Sequence, residues 1–130
     1  MKKTVKATEL IFTEFSQDNL TSMIEFLKES GEVFSPVVCI ETEEGLEIID
    51  GHNRTAAAKE LDMMVPVVYI TETIFSELKE QGYDHMEIAC GILTAEEEYE
   101  AAQNLNAQFG GARLLKKGDE VARIIWDMEE

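Results

Sequence analysis

Positive charge is scarce in this sequence. Eleven lysines and arginines stand against twenty-seven aspartates and glutamates, a formal net charge of -16 over 130 residues. Most faces of such a chain repel a phosphate backbone, so no specific DNA binding by the chain alone is expected. Two basic groups, Lys2, Lys3 and Lys6, then Arg113, Lys116 and Lys117, are too small to form a nucleic-acid footprint. They read as solvated positions that balance local acid. Long apolar runs are also missing. None approaches the length that crosses a bilayer, and Met1-Lys2-Lys3-Thr4 is not followed by an apolar signal core. No membrane partner and a cytoplasmic setting are therefore expected. Cysteine and histidine are rare. Cys39 and Cys90 sit in apolar surroundings, and neither they nor His52 and His85 have metal-ligand spacing. This argues against a zinc site and a disulfide framework, and for buried, inert thiols. His85 reads as a surface residue near a helix start.

Hydrophobic residues make up 45% of the chain, which supports a globular fold. No internal repeat or low-complexity linker divides it, so residues 1–130 are expected to form a single domain. Glu9 to Phe15 alternates loosely as a first strand. Ser16 precedes a helix with Leu20, Met23, Ile24 and Leu27 on one face, stopped by Gly31. Pro36 to Glu41 and Leu46 to Asp50 are strands joined by a Glu43-Glu44-Gly45 hairpin loop. Thr55 to Leu61 reads as a helix. Val65 to Ile70 reads as a buried strand, with Pro66 at its start or at a sheet edge. Ile74, Phe75 and Leu78 mark a short helix closed by Gly82. Met86, Ala89, Ile92 and Leu93 mark another. Thr94-Ala95-Glu96-Glu97 matches a capping box that opens a longer helix towards Gln108, with Glu96 to Glu98 as its solvated first turn. Gly110-Gly111 ends it. Val121, Ile124, Ile125 and Met128 give one face of a last helix. Trp126 and the methionines read as core filling. This order predicts an α+β fold, a small mixed sheet with flanking helices and a helical C-terminal half.

The densest chemistry lies in Ile48-Ile49-Asp50-Gly51-His52-Asn53-Arg54-Thr55-Ala56-Ala57-Ala58. A strand that turns through glycine into a helix leaves backbone N–H groups unpaired at the helix start, and the helix dipole favours an anion there. Arg54 falls in the first turn, placed to grip the same anion and expected to carry little of the core. The alanines let the helix pack closely on what lies behind it. Asp-Gly is a common turn pair, and Asp and Asn are ordinary caps. A plain turn, however, does not need His52, Asn53 and Arg54 in a row. His52 fits either a phosphate ligand or a general base.

Asp50-Gly51-His52-Asn53-Arg54-Thr55-Ala56-Ala57-Ala58, with Leu61 and Val65-Pro66-Val67-Val68 after it, resembles the signature of the ParB/sulfiredoxin superfamily. Ser35-Pro36-Val37-Val38 upstream fits the same pattern, and Ala102-Gln103-Asn104-Leu105-Asn106-Ala107-Gln108-Phe109-Gly110 with Leu114 and Asp119 resembles a weaker downstream segment. The resemblance implies a ParB/sulfiredoxin-like fold that binds nucleotide phosphates, as ATP or CTP with Mg²⁺. It implies ligand contacts from Asp50, Gly51, His52, Asn53, Arg54 and Thr55, and from Asn104 or Asn106 near the metal and triphosphate. No residue is singled out as a metal ligand. The catalytic cysteine of sulfiredoxin is absent from the motif, where His52 and Asn53 stand. The nearest form is the Asp-Gly-His-x-Arg of a free-serine kinase branch. That branch needs a catalytic acid, for which Glu9 and Glu14 are candidates. The partition proteins continue into a helix-turn-helix module about where this chain reaches Glu130. The expectation is thus a nucleotide-binding domain, acting as a switch or a small-molecule phosphotransferase. The alternatives are an acidic interaction protein that binds a basic protein partner on the same fold, and a DNA-acting, nuclease-type protein.

Overall fold

The computed structural model describes residues 1–12, 20–31, 35–109 and 112–129. Among them, five strands form one sheet in the order β1-β5-β3-β4-β2. β1 is Lys2–Lys6. A 3-10 turn, Ala7–Glu9, leads into the short β2, Leu10–Ile11, and α1 is Leu20–Ser30. The hairpin is β3, Val37–Thr42, and β4, Gly45–Asp50; α2 is His52–Glu60 and β5 is Met64–Thr71. The helices α3, Glu72–Glu80, α4, His85–Ala95, α5, Tyr99–Phe109, and α6, Ala112–Glu129, complete the chain. The fold is α+β, as the order of elements predicts.

Strand alternation sorts the apolar residues onto two faces. Val37, Cys39, Leu46, Ile48, Val65 and Val67 pack with Leu27, Ala57 and Ala58 of α1 and α2. Val38, Ile40, Ile49, Val68 and Ile70 face the other way, onto Ile74, Leu78, Ile88, Ile92, Leu105 and Ile125 of the later helices. The sheet thus lies between a thin layer, α1 and α2, and a thick one, α3 to α6. The thick layer is tightest where α4 meets α6: a Cβ on Gly91 would stand 2.2 Å from Val121 Cγ1.

Several expectations need correction. Lys2, Lys3 and Lys6 are exposed, as expected, but they also belong to a strand, β1, which the sequence did not predict and which pairs antiparallel with β5. Its lysines find uses there: Lys2 Nζ meets Glu98 at 2.9 Å, and Lys3 Nζ lies 5.0 Å from the centre of the Tyr69 ring. Lysine on an edge strand also discourages pairing with another chain. Of the first predicted strand, Glu9 to Phe15, Glu9 belongs to the 3-10 turn and Leu10–Ile11 to β2, while residues 13–15 lie outside the described residues. Pro66 lies in an interior strand, but β3 pairing begins at Val67, so its missing N–H costs no bond on that side. The capping box is at the other end of α4 from its expected place. Asp84 Oδ1 accepts from Glu87 N at 2.8 Å, and Glu87 Oε1 accepts from Asp84 N at 2.9 Å. Thr94 is buried within α4, its hydroxyl donating to Cys90 O at 2.9 Å. α4 ends in a Schellman turn with Glu97 at φ 63°, where Glu98 N reaches Leu93 O at 2.8 Å. Glu96 to Glu98 is therefore not a solvated first turn: Glu96 meets the amine of Met1 and Glu98 meets Lys2. Trp126 and Met128 are 43% and 39% exposed, so neither fills the core. Trp126 Nε1 donates to Ala95 O at 3.1 Å. Ser16 and the Gly110-Gly111 break lie outside the described residues.

Both thiols are free and buried. Burial pushes Cys39 up to about 12 and Cys90 to about 11. A group whose folded value is raised stabilises fully below its unfolded value, near 9, and that contribution is lost as pH rises through the folded value. Stability is therefore expected to fall as pH climbs from 9 towards 11 and 12. At pH 8 neither thiol should react with a chromogenic disulfide until the chain unfolds. Fast labelling of the native protein would show that these cysteines are not sealed.

Candidate functional site

The strand–turn–helix segment forms at the end of the sheet where β4 stops and β3 and β5 start. The β3–β4 register slips between Val38, opposite Asp50, and Cys39, opposite Ile48, so β4 carries an extra residue, Ile49. A bulge of this kind bends a strand and re-aims the side chain after it. Here that side chain is Asp50. Gly51 follows with φ 106° and ψ 24°, in the left-handed region. Space demands glycine as well: a Cβ would lie 2.9 Å from Arg54 Nη2 and 3.2 and 3.3 Å from the methyls of Val37.

α2 starts at His52, three residues earlier than the periodicity predicts, because the turn fits entirely into Gly51. Gly51 O takes the first helical bond from Thr55 N at 3.0 Å and a second from Thr55 Oγ1 at 2.9 Å. Thr55 is 0% exposed, so its hydroxyl braces the turn from inside. Helix starts in general favour an anion, through the helix dipole and the amides that precede the first helical bond. Packing fixes this start: Ala57 and Ala58 are fully buried against the sheet and α1.

Arg54 sits in the first turn of α2, as expected, and its guanidinium folds back over Gly51. Nη2 donates to Pro36 O at 3.1 Å and to Asp50 Oδ2 at 3.4 Å. Nε is enclosed and has no hydrogen-bond partner among the described residues. The side chain is 25% exposed. Arg54 therefore also ties β3, β4 and α2 together, which the sequence did not suggest. The Pro36 carbonyl and the Val37 methyls were missed too. No local signal reports them, since Pro36 and Arg54 are 18 residues apart. His52 is half-buried at the first position of α2, its ring centre 6.3 Å from that of Phe12 and tilted by 44°. Asn53 is half-buried beside it.

Asn104, Asn106 and Glu9 do not gather here. Asn106 lies on α5, in the thick layer across the sheet, and its Oδ1 accepts from Leu115 N at 3.0 Å, near the head of α6. Asn104 is exposed on the same helix. Glu9 is exposed, and its Oε2 accepts from Lys6 N at 2.9 Å, closing the 3-10 turn. Glu14 lies outside the described residues. Among the described residues, no group of His, Cys, Asp and Glu is arranged to hold a metal ion, and no helix is long and apolar enough to cross a membrane.

Acid collects at the opposite end of the sheet. Glu41, Glu43, Glu44 and Glu47 of the hairpin face Glu72, Glu77 and Glu80 of α3 across an open cleft. β4 is six residues long, so that end lies about 20 Å from Gly51 at the usual rise. This exceeds the screening length of about 8 Å at physiological salt, so these carboxylates do not cancel the local field of Arg54.

No protein-family model matches the chain, and no curated protein matches it. Among solved structures it is similar to the C-terminally truncated chromosome-partitioning protein ParB from Caulobacter crescentus, complexed with CTP-gamma-S. The identity is 19% and the TM-score 0.46, over 96% of this chain and 77% of that one. A likeness of that degree says nothing about the ligand of this chain.

Proposed function

We propose that the domain binds the phosphates of a nucleotide, ATP or CTP, at the Asp50 to Arg54 turn, with a divalent cation. One observation carries this reading: the left-handed Gly51 at the end of β4 presents the head of α2 with the Arg54 guanidinium drawn over it. Backbone amides at a helix head and a planar cation beside them are what an anion needs. The sequence resemblance described above narrows the anion to a nucleotide. A triphosphate brings several negative charges to a chain of net charge -16. Mg²⁺ binds phosphate oxygens while keeping several waters, and it offsets that repulsion. In this reading His52 and Asn53, at the head of α2, are the further side chains that contact the ligand. His52 takes the part of phosphate ligand, or of base if a reaction follows.

Calorimetry with ATP, CTP, GTP and ADP, with and without Mg²⁺, tests the reading. Arg54→Ala is expected to weaken binding by about 1.5–3 kcal/mol, roughly ten- to a hundredfold, the range for a hydrogen bond to a charged group. It is also expected to cost about 1 kcal/mol of stability, because the bond to Pro36 O goes with it. Unchanged affinity in a folded Arg54→Ala protein, or no binding of any nucleotide by the native chain, would reduce the motif to a turn. Inorganic phosphate measured in the same samples separates a switch from a hydrolase.

A second reading has the glutamate cleft in its favour. An acidic interaction protein on this fold would use that end of the sheet for a basic protein partner and need no nucleotide. The nucleotide titration distinguishes the two.

A further inference from the structure

We propose that Asp50 is a positioning residue: with the Pro36 carbonyl it holds Arg54 so that an anion meets the guanidinium end-on, through Nη1. This rests on the phosphate site proposed above and assigns its geometry. Nη2 is held from two sides, by Pro36 O at 3.1 Å and Asp50 Oδ2 at 3.4 Å. The same nitrogen fills the space a Cβ on Gly51 would take, at 2.9 Å. Nε is enclosed. With Nη2 held and Nε enclosed, Nη1 is, among the described residues, the guanidinium nitrogen left for a ligand. A two-pronged grip, the usual strength of arginine, would require the guanidinium to leave Pro36.

The two acceptors differ in kind. Pro36 O belongs to the backbone of a buried residue and is fixed by the start of β3. Asp50 is a side chain, re-aimed by the β4 bulge and one residue before the turn. Its charge has the wrong sign for a direct anion contact. Electrostatics alone therefore predicts that deleting the Asp50 carboxylate tightens anion binding, because a like charge has gone. Positioning predicts the reverse, because a released guanidinium must be ordered again when the ligand arrives. The opposite signs make the two roles separable.

The experiment titrates CTP, ATP and inorganic triphosphate, each with Mg²⁺, into the native protein and into Asp50→Ala, Asp50→Asn and Arg54→Ala. Thermal melts of the free proteins run alongside. Asparagine keeps an oxygen that accepts from Nη2 and drops the charge, so Asp50→Asn is expected to bind within twofold of native or more tightly. Asp50→Ala is expected to bind about fivefold more weakly or worse, as for loss of one ordinary hydrogen bond. A purely structural role would not be rescued by asparagine at matched melting temperature. If Asp50→Ala does not fold, Asp50→Leu, which keeps the volume without an acceptor, takes its place with the same expectation. Native or tighter affinity in the acceptor-free variant, with Arg54→Ala weak, overturns the positioning role and leaves the phosphate site standing. Native affinity in Arg54→Ala, or no binding by the native protein, removes the site and the positioning role with it.

Discussion

Replacing Gly51 with alanine is expected to abolish detectable nucleotide binding and to destabilise the fold by about 1–3 kcal/mol. The stability loss has two sources. An L residue held at φ 106° pays roughly 1–2 kcal/mol for the left-handed conformation. The new methyl also meets the Val37 methyls at 3.2 and 3.3 Å, and these belong to a fully buried residue with little room to move. The binding loss has a third. The methyl stands 2.9 Å from Arg54 Nη2, and the flexible arginine yields first. When it swings away, Pro36 O and Asp50 lose their donor and the head of α2 loses its cation. Gly82→Ala is the control. Gly82 has φ 96° and nothing within 4 Å of its would-be Cβ, so alanine there pays for conformation alone. Urea unfolding of both variants should show comparable backbone costs, with the excess in Gly51→Ala giving the contact cost. Calorimetry should show native affinity in Gly82→Ala and none in Gly51→Ala. Equal affinities in the two would mean that the turn does not shape the site.

What was legible in the sequence was local. Strand, turn and helix at Asp50 to Ala58 are specified by neighbours in the chain, so the local shape of the candidate site could be read before any fold was known. The hairpin was legible for the same reason: β3 and β4 are joined by Glu43 and Glu44 before a glycine at φ 132°. Failures came where a distant contact decides. Lys2 to Lys6 has no strand pattern, yet β5 recruits it as an edge. Glu97 and Asp62 take left-handed helix ends usually left to glycine, at φ 63° and 51°, so no glycine announced those ends. Thr94 fits a capping signature, but burial turns its hydroxyl back onto Cys90 O. Asn106 has a site-like amide whose oxygen serves the head of α6. Arg54 is the instructive residue. Its position in the first turn was plain, but half its work, on Pro36 O, spans two strands and leaves no trace in spacing.

Gly91→Ala is expected to be the most destabilising of these substitutions, and it lies across the sheet from the Gly51 turn. α4 and α6 cross so closely that a Cβ on Gly91 would be 2.2 Å from Val121 Cγ1, 2.4 Å from Val121 Cβ and 3.2 Å from Gly118 O. Separations under 3 Å cannot stand, and both neighbours are fully or nearly fully buried, so the helices must part. Ile88, Ile92, Leu93 and Ile125 surround the crossing and lose contact as they do. Overpacking a core costs about 1–3 kcal/mol and at times more. Alanine returns about 1 kcal/mol through its better helix propensity. Parting two helices through the larger core puts the gross cost above the usual overpacking range, at about 3–5 kcal/mol, so the net loss is about 2–4 kcal/mol, a large share of the roughly 5–15 kcal/mol that holds a domain together. A double-mutant cycle makes the claim specific. Val121→Ala removes the methyl at 2.2 Å but leaves the Cβ at 2.4 Å, so Gly91→Ala/Val121→Ala should recover only part of the loss. The coupling energy should still exceed about 1 kcal/mol, as for residues in direct contact. Gly118→Ala should behave differently. Its Cβ meets chiefly Cys90 Sγ, at 2.7 Å, and Cys90→Ala removes that atom, leaving the Cβ at 3.1 Å. That pair should therefore be rescued more completely. Additive losses in both cycles would mean that α4 and α6 do not meet at these glycines.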